Sequence, residues 1–183
     1  MRDASGRHAQ PGPAPTARLL FVPCDAALAR AAATTPEALP SLLGLAVEPG
    51  WPSDDLLEML PLYADAVEGL PRLHLVWGLY LVVDRAGRRV IGDVGFKGPP
   101  DERGAVEIGY GIAPACQGRG YATEAVGAMI AFARRQPAVR LIRAFCLVSN
   151  RASRRVLEKS GFRRVGGDGK VLEWSLQLRR PRP

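Results

Sequence analysis

Three stretches of the chain carry residue types whose spacing could do chemistry. The first is "QGRGYATEA" (117–125), in which Gly118 and Gly120 flank Arg119 directly ahead of an apolar stripe of Ala122, Ala125, Val126, Met129, Ile130 and Ala133. Recurrence at three and four residues predicts a helix of about four turns. Glycine in a helix costs roughly 1 kcal/mol against alanine, so two at a helix entrance need a reason. The first N–H groups of a helix lack internal partners and carry about half a positive charge, and backbone without Cβ atoms can lie against a ligand oxygen. Gln117 and Arg119 add side-chain donors. Residues Gln117, Gly118, Arg119, Gly120, Tyr121 and Ala122 thus describe an anion cradle suited to a pyrophosphate; the plainer alternative is a Gly-rich strand-to-helix turn.

The second stretch is "VEIGYGI" (106–112). Strand side chains alternate, so Glu107, Gly109 and Gly111 share one face, and Val106, Ile108, Tyr110 and Ile112 the other. A carboxylate followed by two positions without side chains leaves backbone along which an extended ligand could lie; a β-bulge alone would also account for the glycines. The third stretch, "SNRASRRVLEKSGF" (149–162), reads as a helix capped by Ser149 or Asn150, with Ala152, Val156 and Leu157 as its inner stripe and Gly161 as its left-handed end. Two nucleotide fingerprints fail. The "GK" at Gly169–Lys170 has Arg164 five residues earlier and Val171 after it, and "GYGIAP" breaks the dinucleotide pattern at Pro114.

These stretches need a scaffold, and 183 residues are enough for one domain with its own core. Residues 1–15, rich in Pro, Gly and Ala, read as a disordered leader, and 16–180 as a single domain. "ARLLFVP" (17–23) is a first strand, and Asp25 caps a helix over "CDAALARAAAT". Six prolines between 36 and 72 predict short helical pieces, "SDDLLEMLPLYADAVEGL" being the most helical. Strands follow at 77–84, 89–98, 105–113, 141–148, "RRVG" and 171–178, the first two as a hairpin. Strands interleaved with helices suggest a mixed sheet with helices on its faces.

Composition narrows the class further. The 47% hydrophobic and 23% charged content is ordinary for a globular protein. No apolar run approaches the ~18–20 residues of a membrane span, and the N-terminus lacks the apolar region of a secretory signal. Three widely spaced cysteines, Cys24, Cys116 and Cys146, suit reduced thiols in a cytoplasm. The net charge of +7 is uneven: residues 1–133 hold 11 Lys/Arg against 15 Asp/Glu (−4), and residues 134–183 hold 14 against 3 (+11). The basic end could meet nucleic acid, an acidic surface or an anionic cofactor, or be a solvated face and a Pro/Arg tail, "LRRPRP".

"IAPACQGRGYATEA" resembles the coenzyme A signature of the GNAT acetyltransferases, Q/R-x-x-G-x-G/A, which the chain reads as Q-G-R-G-Y-A from Gln117 to Ala122. "SNRASRRVLEKSGF" resembles that family's second hallmark, an Asn ending a strand and a helix finishing in "EK-x-GF". The likeness spans roughly residues 77–178, and weakly the first strand and helices. With "GFKGPP" ahead of "VEIGYGI", it is nearest the RimJ/RimL-like branch. The resemblance implies an α/β (α+β) GNAT fold: a mixed, mostly antiparallel, twisted sheet of about six to seven strands with helices on both faces. It implies acetyl-CoA as acyl donor, no metal, and direct transfer of acetyl to a primary amine. Backbone near Ile112 and Ala113 should pair with the pantetheine arm and that of 117–122 with the pyrophosphate; Asn150, with Ser153 nearby, should meet the coenzyme. A backbone N–H near Gly111 or Ile112 would polarise the thioester carbonyl, a role often worth ~3 kcal/mol.

Acyl transfer also needs a neutral amine, hence a proton acceptor. Of two histidines, His8 lies in the leader and His74 just before a strand. Glu107 is the expected base, because the matching position is a catalytic glutamate in some family members; its alternative is a surface or salt-bridged carboxylate. Many members place a Tyr, as acid to the leaving thiolate, where this chain has Leu157, so the acid is unassigned, with Tyr110 and Ser153 as weak substitutes. Cys116 has no histidine partner and reads as packing. The acceptor should enter between the 36–72 helices and the hairpin, with "LAVEPGWPSDDL" as a lid and Trp51, Asp54, Asp55 and Tyr110 as its contacts. The favoured alternative for that lid is a Pro-rich loop capped at Ser53. The expected partners are coenzyme A and an amine, with neither membrane nor nucleic acid and with a homodimer left open. The rival readings are a non-catalytic acyl-CoA-binding protein and, ranked last, an RNA- or ribosome-associated protein using "RRQPAVRLIR" and "RASRR".

Overall fold

Alternating stretches of the chain become strands whose apolar faces are covered from both sides. The computed structural model describes residues 12–69 and 74–178; His8 and the last five residues of "LRRPRP" lie outside them. Its elements run β1 (Leu19–Pro23), α1 (Ala26–Thr34), α2 (Leu39–Leu43), β2 (Ala46–Val47), α3 (Asp54–Glu68), α4 (His74–Trp77), β3 (Leu79–Asp84), β4 (Arg89–Phe96) and β5 (Ala105–Ile112). They continue as α5 (Tyr121–Arg134), β6 (Leu141–Leu147), α6 (Arg151–Lys159), β7 (Arg163–Gly167) and β8 (Val171–Gln177). The sheet order is β1-β3-β4-β5-β6-β8-β7, with the two-residue β2 beside β4. All neighbours are antiparallel except β5 with β6, joined through α5, and β2 with β4.

Local signals explain most boundaries. The Asp25 carboxylate accepts the Leu28 N–H (2.8 Å) and starts α1, as the Asn150 side chain accepts the Ser153 N–H (2.9 Å) and starts α6. Gly161, at φ +86°, turns the chain after α6. Between 36 and 72 the structure is more regular than the prolines suggest. Helix α3 runs 15 residues straight through Pro61, because Leu60, Ala64 and Val67 bury one continuous stripe that outweighs a missing backbone bond. The favoured reading of the lid holds at its end, where Ser53 caps α3 by accepting the Leu56 N–H at 3.4 Å. Ordered packing also begins ahead of residue 16: Gly12 and Pro13 are buried, and a Cβ at Gly12 would press on the Tyr80 ring at 2.8 Å.

Two apolar clusters hold the sheet. One, under α5 and α6, is built from Val94, Val106, Ile108, Met129, Ile142, Leu157 and Trp174 among others. The other, under α1 to α3, includes Ala29, Leu39, Leu60, Leu81, Val83 and Trp51. Leu157, which stands where many relatives carry a Tyr, is fully buried in the first cluster. Among the described residues no helix is long and apolar enough to cross a membrane, and no group of His, Cys, Asp and Glu is arranged to hold a metal.

Candidate active site

The middle of the sheet is where the ladder fails, and the failure makes the site. Strand β5 pairs with β6 only through Ala105, Val106 and Glu107, and with β4 from Ile108 to Ile112. Beyond Glu107 the strands β5 and β6 part, and β6 continues paired with β8 alone. The Lys97 N–H donates to Glu107 O, and the Ala113 N–H donates to Ile91 O, both at 2.9 Å. By the two-residue alternation of an antiparallel ladder, the backbone groups of Tyr110 and Ile112 therefore face away from β4, toward the gap. The Ile112 carbonyl is taken by Gln117 Nε2 at 2.9 Å, and the Ile112 N–H remains directed there.

A cavity of about 510 Å³ fills the gap, lined from both faces of the sheet. From β5 and the following turn it takes Tyr110, Gly111, Ile112, Ala113, Cys116, Gln117, Gly118 and Gly120. From the start of α5 come Tyr121, Ala122 and Thr123, and from α6 Asn150, Ala152, Ser153, Arg155, Val156 and Lys159. On the far side stand Trp51, Ser53, Asp55 and Asp93. The α5 entrance meets the cradle's requirements. Gly118 and Gly120 have φ of +75° and +80°, a region side chains disfavour by roughly 1–2 kcal/mol per residue. No side chain caps the helix, and its first internal bond is Glu124 N–H to Gly120 O at 3.0 Å. A Cβ at Gly118 would have nothing within 4 Å, so the loop is open where a phosphate would sit. The residues thus fit an anionic, extended ligand such as acetyl-CoA.

Most of the residues expected at the site line this cavity; Arg119, Asp54 and Glu107 do not, and Asp93, Arg155 and Lys159 line it without having been expected. Arg119 is exposed and is not among the residues lining the cavity; its carbonyl instead accepts Arg18 Nη1 at 3.0 Å. Asp54 is likewise not among them, while its neighbour Asp55 is. Glu107 stands apart: it pairs with Lys97 at 2.5 Å and lines a second cavity of about 250 Å³ with Asp101 and Arg143. The reason is position along β5, since Glu107 lies in the half still paired with β6, before the gap opens. The expected salt-bridged alternative for Glu107 is the arrangement found. Ala113 offers no free N–H, having donated it to Ile91.

The missed residue is Asp93 on β4. It is 6% exposed and the one buried charged residue among those described. Trp51 Nε1 donates to its Oδ1 at 2.9 Å, and Gly111 is its cross-strand partner. A Cβ at Gly111 would come within 3.0 Å of that same oxygen. Burial pushes the carboxyl up to about 7, against the Trp51 hydrogen bond, which lowers it. A lone acid in the apolar run "RVIGDVGF" was the available signal. Arg155 and Lys159 were also missed; they follow Ala152 at three- and four-residue spacing on one face of α6. Across the cavity the Tyr110 hydroxyl bonds Ser153 Oγ (2.8 Å) and Ser153 O (3.1 Å). Burial raises Tyr110 to about 12, so it is a neutral donor at physiological pH.

A sheet parted beside an uncapped helix N-terminus is the arrangement that the GNAT resemblance implies, and the family comparison agrees. Residues 49–163 match the Acetyltransferase (GNAT) domain family, and the chain belongs to it. It is 31% identical over 122 residues, 66% of its own length and 71% of the relative's, to an uncharacterized N-acetyltransferase, YjdG, of Bacillus subtilis. In fold it is similar to a ribosomal-protein-S5-alanine acetyltransferase from Vibrio fischeri (TM-score 0.66, 19% identity, 93% of this chain and 99% of that one). It is also similar to RimL, a ribosomal L7/L12 alpha-N-protein acetyltransferase in complex with coenzyme A (TM-score 0.62, 17% identity, 89% and 96%).

Proposed function

We propose that this acetyltransferase-family chain moves the acetyl group of acetyl-CoA directly to a primary amine, and that its place is with the RimJ/RimL-like members. The observation that carries the reading is the continuity of the gap beside β5 with the uncapped start of α5. One cavity offers backbone N–H groups for a pyrophosphate at Gly118 to Ala122 and, farther along, the Ile112 N–H for a polarised carbonyl. Arg155 and Lys159 supply cations at the α6 wall, and Asn150 and Ser153 supply polar atoms between. The acceptor enters from the α3 side, where Trp51 and Asp55 line the same cavity. Three free, buried cysteines suit a reducing compartment, and the cytoplasm is the proposed location.

Relatives in fold bear names that point to protein N-termini and to spermidine, so both kinds of amine are to be offered. Calorimetric titration of the full chain with acetyl-CoA is expected to show micromolar binding that Gly120→Glu abolishes. Thiol release is then followed with Ala- and Ser-initiated peptides and with spermidine. Binding without release on any of them would favour a non-catalytic acyl-CoA-binding protein. Failure of the intact chain to bind would remove the proposal.

A further inference from the structure

Asp93 is a carboxylate kept from water in a wall of the reaction cavity. Every strand residue packed around it is apolar or a glycine. Leu81 is its β3 partner and Gly111 its β5 partner, and Leu81 and the Trp51 that meets it belong to the apolar cluster under α1 to α3. Such a position costs several kcal/mol for a charged group that has no compensating cation. A merely structural site would be filled more cheaply by a neutral hydrogen-bond acceptor, since among the described residues its hydrogen-bond partner is the Trp51 indole. The carboxylate has a second oxygen, Oδ2, and the cavity reaches the residue. Gly111 keeps the opposite position clear, because any side chain there would crowd Oδ1.

We propose that Asp93, with its carboxylate fixed by Trp51, is the catalytic base that takes a proton from the acceptor's ammonium group, a role resting on the acetyl-transfer reading above. The balance is simple. The acceptor R–NH3⁺ gives one proton to the Asp93 carboxylate, leaving R–NH2 and a neutral Asp93. The amine nitrogen forms a bond to the acetyl carbon and the C–S bond breaks. The second proton leaves nitrogen for the departing thiolate, giving the amide and the free thiol. Asp93 then returns its proton to solvent.

Charge in the cavity suits the task. Asp55, at the first turn of α3, lines the same wall and attracts a cation to it. The other titratable groups near Asp93 do not compete. Cys24, at the end of β1, is a buried thiol held neutral, raised to about 12 chiefly by burial and then by Asp25 and Asp93. The Tyr63 hydroxyl of α3 is engaged between Cys24 O and the Leu79 N–H, and Tyr110 is paired with Ser153 across the gap. Glu48 is paired with Arg89, at 2.7 Å. The value of about 7 for Asp93 places the carboxylate form and an appreciable proton affinity at the same pH, as a general base requires.

The test uses the full chain, saturating acetyl-CoA and whichever of the Ala- or Ser-initiated peptides or spermidine is turned over fastest. Asp93→Asn, nearly isosteric, is expected to lower kcat by about 100-fold or more while the acetyl-CoA Kd stays within about twofold. In the wild type, kcat/KM should rise with pH along a limb centred near 7. Trp51→Phe removes a hydrogen bond that favours the charged form, so its limb should move to higher pH with activity recovered above it. A base role predicts that movement, and a packing role does not. The proposal is overturned if Asp93→Asn keeps turnover within about threefold, if the Trp51→Phe limb stays where the wild-type limb is, or if Glu107→Gln is the variant that loses activity. Should Asp93→Asn fail to fold, the Trp51→Phe profile decides alone. Absence of wild-type binding or turnover would instead remove the acetyl-transfer reading itself, and Asp93 with it.

Discussion

At the scale of single residues, the proposed site holds groups that cost the fold stability. Asp93 is the clearest case, with its carboxyl raised by burial from 3.8 to about 7. Below the ordinary carboxylate value both folded and unfolded chains carry it protonated, and there is no buried charge to penalise. As pH rises from 3.8 to about 7 the unfolded chain ionises while the folded one stays protonated, so stability falls across that window and levels off above it. Asp93→Asn should therefore melt higher than the wild type at pH 8, by an amount on the order of 2–4 kcal/mol. That advantage should close toward pH 4; a difference in melting temperature independent of pH would contradict the assignment. The glycines of the cradle show the same economy. Gly118→Ala is expected to destabilise by roughly 1–2 kcal/mol through its left-handed backbone rather than any clash, and to weaken acetyl-CoA binding in calorimetry.

At the scale of elements, the start of α5 is held by a segment far away in sequence. The Thr16 hydroxyl donates to Glu124 Oε1 at 2.5 Å, and Arg18 Nε and Nη2 reach Glu124 Oε2 at 2.7 and 2.6 Å. Arg18 also donates to Arg119 O and lies 4.6 Å over the Tyr121 ring. Burial works against the Glu124 charge, but the Thr16 and Arg18 hydrogen bonds outweigh it and hold the carboxyl below its usual value. The segment before β1 thus clamps the helix whose N-terminus makes the cradle. Since the ion pair is partly exposed, Arg18→Ala should cost less than about 1 kcal/mol in chemical denaturation. It should nonetheless lower acetyl-CoA affinity several-fold, because the loop 117–120 loses its anchor; unchanged affinity would show that the loop holds its shape unaided.

At the scale of the whole molecule, the sheet keeps two separate cores and brings them to one cavity. Met129 belongs to the cluster under α5 and α6, and Leu60 to the one under α1 to α3; both are essentially fully buried. Each truncation to alanine is expected to cost about 2–5 kcal/mol. With no shared partners, the double variant should lose the sum within about 0.5 kcal/mol in urea unfolding. A larger coupling would mean that the sheet transmits strain between its faces. The cavity is lined from both sides because β5 and β6 part after Glu107, so the uncapped start of α5 and the carboxylates of Asp55 and Asp93 face one space.

What the sequence by itself determined is what depends on neighbours along the chain. Period-two and three-to-four spacing placed the long strands and α5, Asp25 and Asn150 marked the helix starts, and Gly118 with Gly120 marked a cradle, because backbone conformation and capping are local. The stretch expected to be the most helical is α3, and what the local sequence left open was its passage through Pro61, since the burial that carries it there comes from α1 and the sheet. Only the tertiary structure decided which carboxylate faces the cavity. Glu107 and Asp93 lie on adjacent strands, and although the apolar run around Asp93 signals burial, it does not say which of the two meets the cavity. Where β5 leaves β6 decides it: that point closes Glu107 into a pair with Lys97 and opens the space before Asp93. Pairing between strands far apart in sequence fixes that point, and burial then sets the charge state of the acid left inside.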